Sequence, residues 1–470
     1  MNQKKENVVL LLSLLITAGV IAGGLWWLRG NKQILDVTLD GDRQENVSQE
    51  DISADLDSEP STGETILFQQ DLTPEKEAAA QAIAEQNFSE AESLLEQSLS
   101  KQRNDPEGLI YLNNARIGTN KAYSIAVPVP IGTEKTTAKE ILRGAAQAQS
   151  EINQQGGING IPLKVLIVND DNNAQTAIQV AQELAKNQEV LGVVGHFSSG
   201  VTLATASIYQ QNKLVAISPS STSIAISNQG DYIFRTVPSD RFTSNTLAKY
   251  FLDRLGLQQA MVVYNSQSAY SRSLQETFTT EMVSNGGEIV SEVDLAASNL
   301  NPAAVLKDAR ARGAQALVFL NDSTTVDKAY LLMQLNNREL PQLGGDSLYK
   351  PQTLEIGGEK AVGLAVAVPW HVSGSANPEF PTAARRLWGG DVNWRTAMAY
   401  DATKVLAAGL TDSPSRAGVQ KTLAQSGFTL AGATGTVRFL NSGDRNGAVQ
   451  LVEVQPGKRS SYGYDFVPLE

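Results

Sequence analysis

From Tyr123 onward the sequence alternates short apolar runs with longer stretches of helical period, and that alternation constrains the fold more than any other feature. Tyr123 to Val129 (YSIAVPV) reads as a strand, Ala138 to Asn153 as a helix and Leu163 to Asn169 as a strand. Ala174 to Asn187 follows as a helix and Val190 to Gly195 as a strand. The pattern resumes with strand Ala260 to Tyr264, helix Ser271 to Asn285, strand Ile289 to Asp294, a helix near Val305 to Ala311 and strand Ala316 to Leu320. Strand, helix, strand in regular succession implies a parallel sheet covered on both faces by helices. Two similar α/β modules are therefore expected in tandem. In open sheets of this kind ligands bind at the carboxyl ends of the strands, where loops and helix N-termini converge.

Upstream of the modules the chain changes character three times. Residues 1–30 contain Val8 to Leu28, about 21 residues without a charge, bounded by Lys4 and Lys5 on one side and by Trp26, Trp27 and Arg29 on the other. At about 1.5 Å per helical residue that run spans a bilayer core of about 30 Å. The tryptophans and the arginine are the residues expected at a membrane interface. The expectation is an uncleaved signal anchor, the rival being a cleaved signal peptide. Residues 31–72 are crowded with Asp, Glu, Ser and Gln and carry no sustained apolar period, so they read as a disordered acidic linker. Residues 73–118 read as helical. Thr73-Pro74 opens a helix with Glu75 and Glu77 in its first turn, Phe88 to Leu95 forms a second, and Asn104-Asp105-Pro106 breaks it before Glu107 to Arg116. This stretch resembles one and a half tetratricopeptide units, too few to stack into a solenoid. It is either a helical spacer packed on the main domain or a docking surface for a protein partner.

Composition excludes several functions. A net charge of -12 argues against a nucleic-acid partner, since phosphate binding needs clustered cations. The absence of cysteine removes disulfides, thiolate nucleophiles, Cys-ligated metals and lipid attachment through cysteine. The two histidines, His196 and His371, form no metal-binding spacing. Gly195-His196-Phe197-Ser198-Ser199-Gly200 places phenylalanine where a nucleophile elbow needs serine. His196 reads as structural, and Asp170-Asp171 as turn and helix caps rather than metal ligands. No catalytic, metal or cofactor site is expected.

What remains is a pair of hydroxyl-rich loops, each following a strand and preceding helical pattern. Val190 to Gly195 leads into His196-Phe197-Ser198-Ser199, and Leu214 to Ile217 leads into Ser218-Pro219-Ser220-Ser221-Thr222. Both loops present hydroxyls and unpaired helix N-terminal N-H groups, a combination suited to a carboxylate. Ordinary N-capping by serine and threonine is the simpler reading of either loop alone.

With Gly144 to Gly160 (GAAQAQSEINQQGGING), Asn169-Asp170-Asp171, Gly195 to Ser199, Ile217 to Thr222 and Tyr232-Ile233-Phe234-Arg235-Thr236 in order, the chain resembles the type I periplasmic binding proteins. The resemblance is to the branched-chain amino-acid branch that serves ABC transporters. It covers residues 121–467 and implies two parallel-sheet lobes joined by a hinge, lobe 1 at about 121–240 and 370–450, lobe 2 at about 241–369 and 451–467. It implies that Ser199, Ser220 and Thr222 hold a ligand carboxylate, with Ser198 and Ser221 beside them. Tyr270 matches the aromatic residue of the second lobe, and Asp346 the acid that holds the ligand ammonium. Thr137 and Ser323 stand where family members often have aromatics, and Asp346 is one methylene shorter than the usual glutamate, so the side-chain pocket is expected to be wider or more polar. The implied function is binding of an amino acid or a similar small molecule outside the cytoplasm by hinge closure, with delivery to a membrane permease. Sensing through a partner protein is the alternative.

Overall fold

The computed structural model describes residues 59–469, so the expected membrane anchor at 1–30 and the linker up to residue 58 lie outside the described residues. Among the described residues no helix is long and apolar enough to cross a membrane.

The chain opens with helices α1 (Pro74–Ala84), α2 (Phe88–Lys101) and α3 (Pro106–Ile117). There follow β1 (Tyr123–Val129), α4 (Lys135–Gln154), β2 (Leu163–Asn169), α5 (Ala174–Lys186), β3 (Val190–Val194), α6 (Ser199–Gln211), β4 (Ala216–Ser218) and β5 (Ile233–Arg235). The next group is α7 (Asp240–Lys249), β6 (Gln259–Tyr264), α8 (Ala269–Ser284), β7 (Glu288–Asp294), α9 (Pro302–Ala311), β8 (Ala316–Leu320), α10 (Val326–Asn336), β9 (Gln342–Gly344), α11 (Pro351–Gly357) and β10 (Ala365–Val368). The last is α12 (Glu379–Trp388), α13 (Trp394–Asp412), α14 (Arg416–Leu423), β11 (Leu430–Gly432), β12 (Gly435–Val437), β13 (Gln450–Pro456) and β14 (Tyr464–Pro468).

Two main sheets result. The first is all parallel in the order β2-β1-β3-β4-β5. The second runs β14-β13-β10-β9-β8-β6-β7, parallel from β10 to β7 and closed by antiparallel β13 and β14. Each sheet has its own apolar layers, and α12 and α13 pack with the first sheet although they follow β10 of the second. The chain therefore passes between lobes three times, after β5, after β10 and before β13. Three parallel strands of polypeptide form a hinge that lets the lobes close without unfolding either.

The acidic segment is ordered from residue 59, where disorder is the expectation. Ser61 pairs antiparallel with Ile167 of β2, its N-H and C=O exchanging bonds of 2.8 and 2.9 Å. Phe68 is 1% exposed and belongs to the same apolar core as β1. The order comes from outside the segment: β2 is an edge strand, and its free N-H and C=O groups offer a partner to any extended chain.

The three helices also join this lobe rather than standing apart from it. Asn114 of α3 donates to the Val165 carbonyl at 2.8 Å and accepts from the Val165 N-H at 3.2 Å, continuing the cover of the edge strand, while Gln149 of α4 bonds the same amide oxygen at 2.9 Å. A buried lysine, Lys76 of α1, lies 2.7 Å from both Asp105 and Glu107 and ties α1 to α3. Of the twelve residues of α3 only Arg116 is not buried, which confines any surface open to a partner mainly to α1 and α2.

Candidate functional site

The loops at the carboxyl ends of β3 and β4 are fixed from beneath. His196 is buried, its Nδ1 2.6 Å from Asp170 and its Nε2 2.9 Å from the Tyr209 hydroxyl. Both ring nitrogens are thus engaged inside the lobe, a structural use. The Ser218 hydroxyl donates to the His196 carbonyl at 2.7 Å, and the Ser220 hydroxyl to the Phe197 carbonyl at 2.7 Å, so the two loops are stitched to each other. Arg235, fully buried at the end of β5, reaches the carbonyls of Ser221 and Ser223 at 3.3 and 2.7 Å and pairs with Asp444 at 2.6 Å. It sets the path of the second loop from below.

Helix α6 then begins at Ser199, capped by the Ser198 side chain, which accepts from the Val201 N-H. Its first-turn N-H groups, including those of Ser199 and Gly200, have no partner within the helix. The Ser199 hydroxyl accepts from the Ser223 N-H at 3.2 Å, and the Ser221 hydroxyl sits 2.8 Å from that of Thr202. The Thr222 hydroxyl is buried without a hydrogen-bond partner.

Across the interlobe cleft, Asp346 lies in a short 3-10 turn after β9 and Tyr270 in the first turn of α8. The Tyr270 hydroxyl donates to Asp346 Oδ1 at 2.7 Å. Burial raises the Asp346 carboxyl above its ordinary pKa, while Arg395, the Tyr270 hydroxyl and Lys350 act in the opposite sense. A buried carboxylate with a raised pKa favours an added cation beside it.

A cavity of about 310 Å³ separates these two walls. Ser198, Ser199, Ser220, Tyr270, Asp346 and Ser323 all line it. Thr222 and Ser221 are buried and do not. Thr137 lines an adjoining cavity of about 340 Å³ that also contains Ser323. Five of the expected residues and Ser323 are therefore brought to one space, with Thr137 next to it. Among the described residues no group of three or more His, Asp or Glu side chains could hold a metal ion.

Several residues at this site escaped the sequence reading. Arg395, in the first turn of α13, and Lys350, just before α11, line both cavities. Arg395 had one legible signal, since a cation in the first turn of a helix opposes the helix dipole and needs a reason to be there. Asp240, at the start of α7 in the hinge, had none. It is fully buried, with neither carboxylate oxygen hydrogen-bonded. Burial pushes its carboxyl up to about 7, the nearby Ser273 and Thr222 hydroxyls offset part of that, and the Asp346 charge adds to it.

This shift carries a pH dependence of stability. A carboxyl that stays protonated in the fold up to about pH 7, but ionises near pH 4 when unfolded, makes stability fall as pH rises across that window. His371 works against it: burial holds its imidazole down to about 4, so stability is lost as pH falls below its unfolded value. The difference between wild type and Asp240→Asn isolates the first effect. The variant's melting temperature is expected to gain on wild type between pH 4 and 7, and a pH-independent difference would contradict the assignment.

Comparison with known proteins fits this architecture. A family model described as periplasmic binding protein matches residues 125–459. The chain belongs to that family, the type I periplasmic binding proteins, in the branch that includes the leucine-binding proteins. An amino acid binding protein of Pseudomonas aeruginosa is 26% identical over 189 residues, 40% of this chain and 50% of that protein. The chain thus spans only half the length of that curated relative. The leucine-specific-binding protein of Salmonella typhimurium is 24% identical over 58% of this chain and 74% of its own. Among solved structures, an ABC transporter substrate-binding protein of Desulfitobacterium hafniense in complex with Leu is 25% identical, with a TM-score of 0.63 over 74% of this chain and 100% of that one.

Proposed function

We propose that this protein is the extracytoplasmic solute-binding component of an ABC transporter, closing its two lobes on an amino acid or close analogue and presenting the closed form to a membrane permease. The observation that carries the reading is the opposition of two unlike walls across one cavity. One wall offers the open N-H groups of α6 with the hydroxyls of Ser199 and Ser220, chemistry suited to a carboxylate, while Thr222 lies buried behind them. The other offers Asp346, held by Tyr270 and raised in pKa by burial, chemistry suited to an ammonium. An α-amino acid carries both groups on one carbon. Ser198 and Ser221 shape the loops, while Thr137 and Ser323 border the space left for the side chain.

Residues 1–30 serve as the tether, with Met1 on the cytoplasmic side. Holding a binder beside its permease replaces free diffusion by an effective concentration that reaches up to the millimolar range for suitable linkers. The relatives' names and the leucine-bound neighbour support amino-acid binding without fixing which one. A thermal-shift series on the full chain tests the reading. Ligand at about 100 times its dissociation constant adds about 2.7 kcal/mol of stability. At least one α-amino acid is expected to raise the melting temperature by several degrees, and a set of the common amino acids that leaves it unmoved would refute the proposal.

A further inference from the structure

The side-chain end of the cleft holds two cations from opposite lobes. Lys350 enters from the second lobe and Arg395 from the start of α13 in the first, and both line the two adjoining cavities. Arg395 is 4% exposed, yet its only side-chain hydrogen bond among the described residues is a long one of 3.4 Å to Glu140. Its Nε is buried without an acceptor. A guanidinium has five N-H donors in a planar fork, so most of its capacity is unspent, and burying unpaired donors is costly. Its carbon sits 4.2 Å from the Trp394 ring centroid and 6.0 Å from that of Phe197. Stacking of this kind leaves the edge of the fork free for a planar anion.

The location sharpens the requirement. Arg395 is the second residue of the 19-residue helix α13, where the positive end of the helix dipole adds to its own charge. Lys350 approaches Glu134 only to 3.9 Å, longer than a charge-assisted hydrogen bond. Asp346 and Asp322 line the first cavity with the two cations, Asp346 being committed to the ligand ammonium in this reading, and Asp327 stands in the second cavity with two glutamates, Glu134 and Glu140. Their side chains are more exposed than that of Arg395, at 21% and 12% against 5%, so water can satisfy them more readily.

We infer that the ligand is an amino acid whose side chain ends in a carboxylate or equivalent anion, received by the fork of Arg395 with Lys350 as its second cation. This rests on the proposed seating of the ammonium at Asp346 and of the α-carboxylate at the α6 loop. With those groups placed, the remaining space runs past Ser323 toward Thr137, where the two cations stand.

The test is calorimetric titration of the full chain with glutamate, aspartate, glutamine, asparagine, leucine and arginine. An acidic amino acid is expected to bind at least about 100-fold more tightly than its amide, the scale of a charge-assisted bidentate contact. Arg395→Gln is expected to collapse that acid-to-amide ratio toward one, and Lys350→Gln to reduce it about tenfold, the lower end of the same range. A positioning role for Arg395 would instead weaken acid and amide together and leave the ratio standing. Preference for leucine, an amide or arginine, or a ratio unaffected by Arg395→Gln, overturns this inference while leaving amino-acid binding intact. Binding of no amino acid at all overturns the proposed function itself.

Discussion

A chain carrying Asp346→Asn is expected to lose amino-acid affinity by about 100-fold or more, while its fold and melting temperature without ligand stay close to wild type or rise. The expectation follows from what Asp346 meets on each side. Within the protein its carboxyl receives one side-chain hydrogen bond, from Tyr270 at 2.7 Å, and burial raises its pKa, so ionising it has a cost. Asparagine keeps the shape and can still accept from the tyrosine. An ammonium entering the cleft gains a charged partner from aspartate and only a dipole from asparagine. Hydrogen bonds to charged groups contribute about 1.5–3 kcal/mol, and leaving a buried charge unpaired costs about 3–5 kcal/mol. Titration of both proteins with the best amino acid measures the loss, and equal affinities would remove Asp346 from the ammonium site.

Removing residues 59–118 is expected to yield a protein that aggregates or fails to fold, even though the segment precedes both α/β modules. Two costs combine. Ser61 and Asn114 cover the outer edge of β2, and without them a parallel edge strand presents free N-H and C=O groups to other molecules. Phe68, Ile110 and Tyr111 lie in the same core as Ile125, Val127 and Ile141. Each large apolar side chain contributes about 1.5–3 kcal/mol by burial, so their joint loss is comparable with a total stability of about 5–15 kcal/mol. Asn114→Ala supplies the graded version, with an expected loss of about 1–3 kcal/mol by chemical denaturation. A soluble monomer melting as wild type after the deletion would show the segment to be an appendage.

The parts of the fold that could be read from sequence were those encoded locally. β8 falls where its apolar run ends, at Leu320, and α5 falls within one residue of its helical pattern, because period and flanking breakers lie in the same short stretch. The serine loops could be placed for the same reason: strands and helices on either side fix where they fall. Residues 59–72 could not, since Ile66, Leu67 and Phe68 form an isolated apolar triplet in polar surroundings and their order depends on β2, about 100 residues later. Asp240 and Lys350 were silent because neither burial nor proximity across a hinge leaves a trace in neighbouring residues. Thr222 was expected to line the cavity and instead lies buried with an unpaired hydroxyl, a matter of loop geometry set by Arg235 from another strand.

On the proposed function the cleft recognises the ammonium and the carboxylate of one α-carbon together. Titrating the full chain with its preferred amino acid and with the same molecule lacking the amino group tests this most directly. The amino acid is expected to bind with one site per chain, and its des-amino counterpart about 100-fold more weakly or not at all. Equal affinity for the two would show that the carboxylate and side chain alone are recognised, and would contradict the role given to Asp346 and the reading built on it.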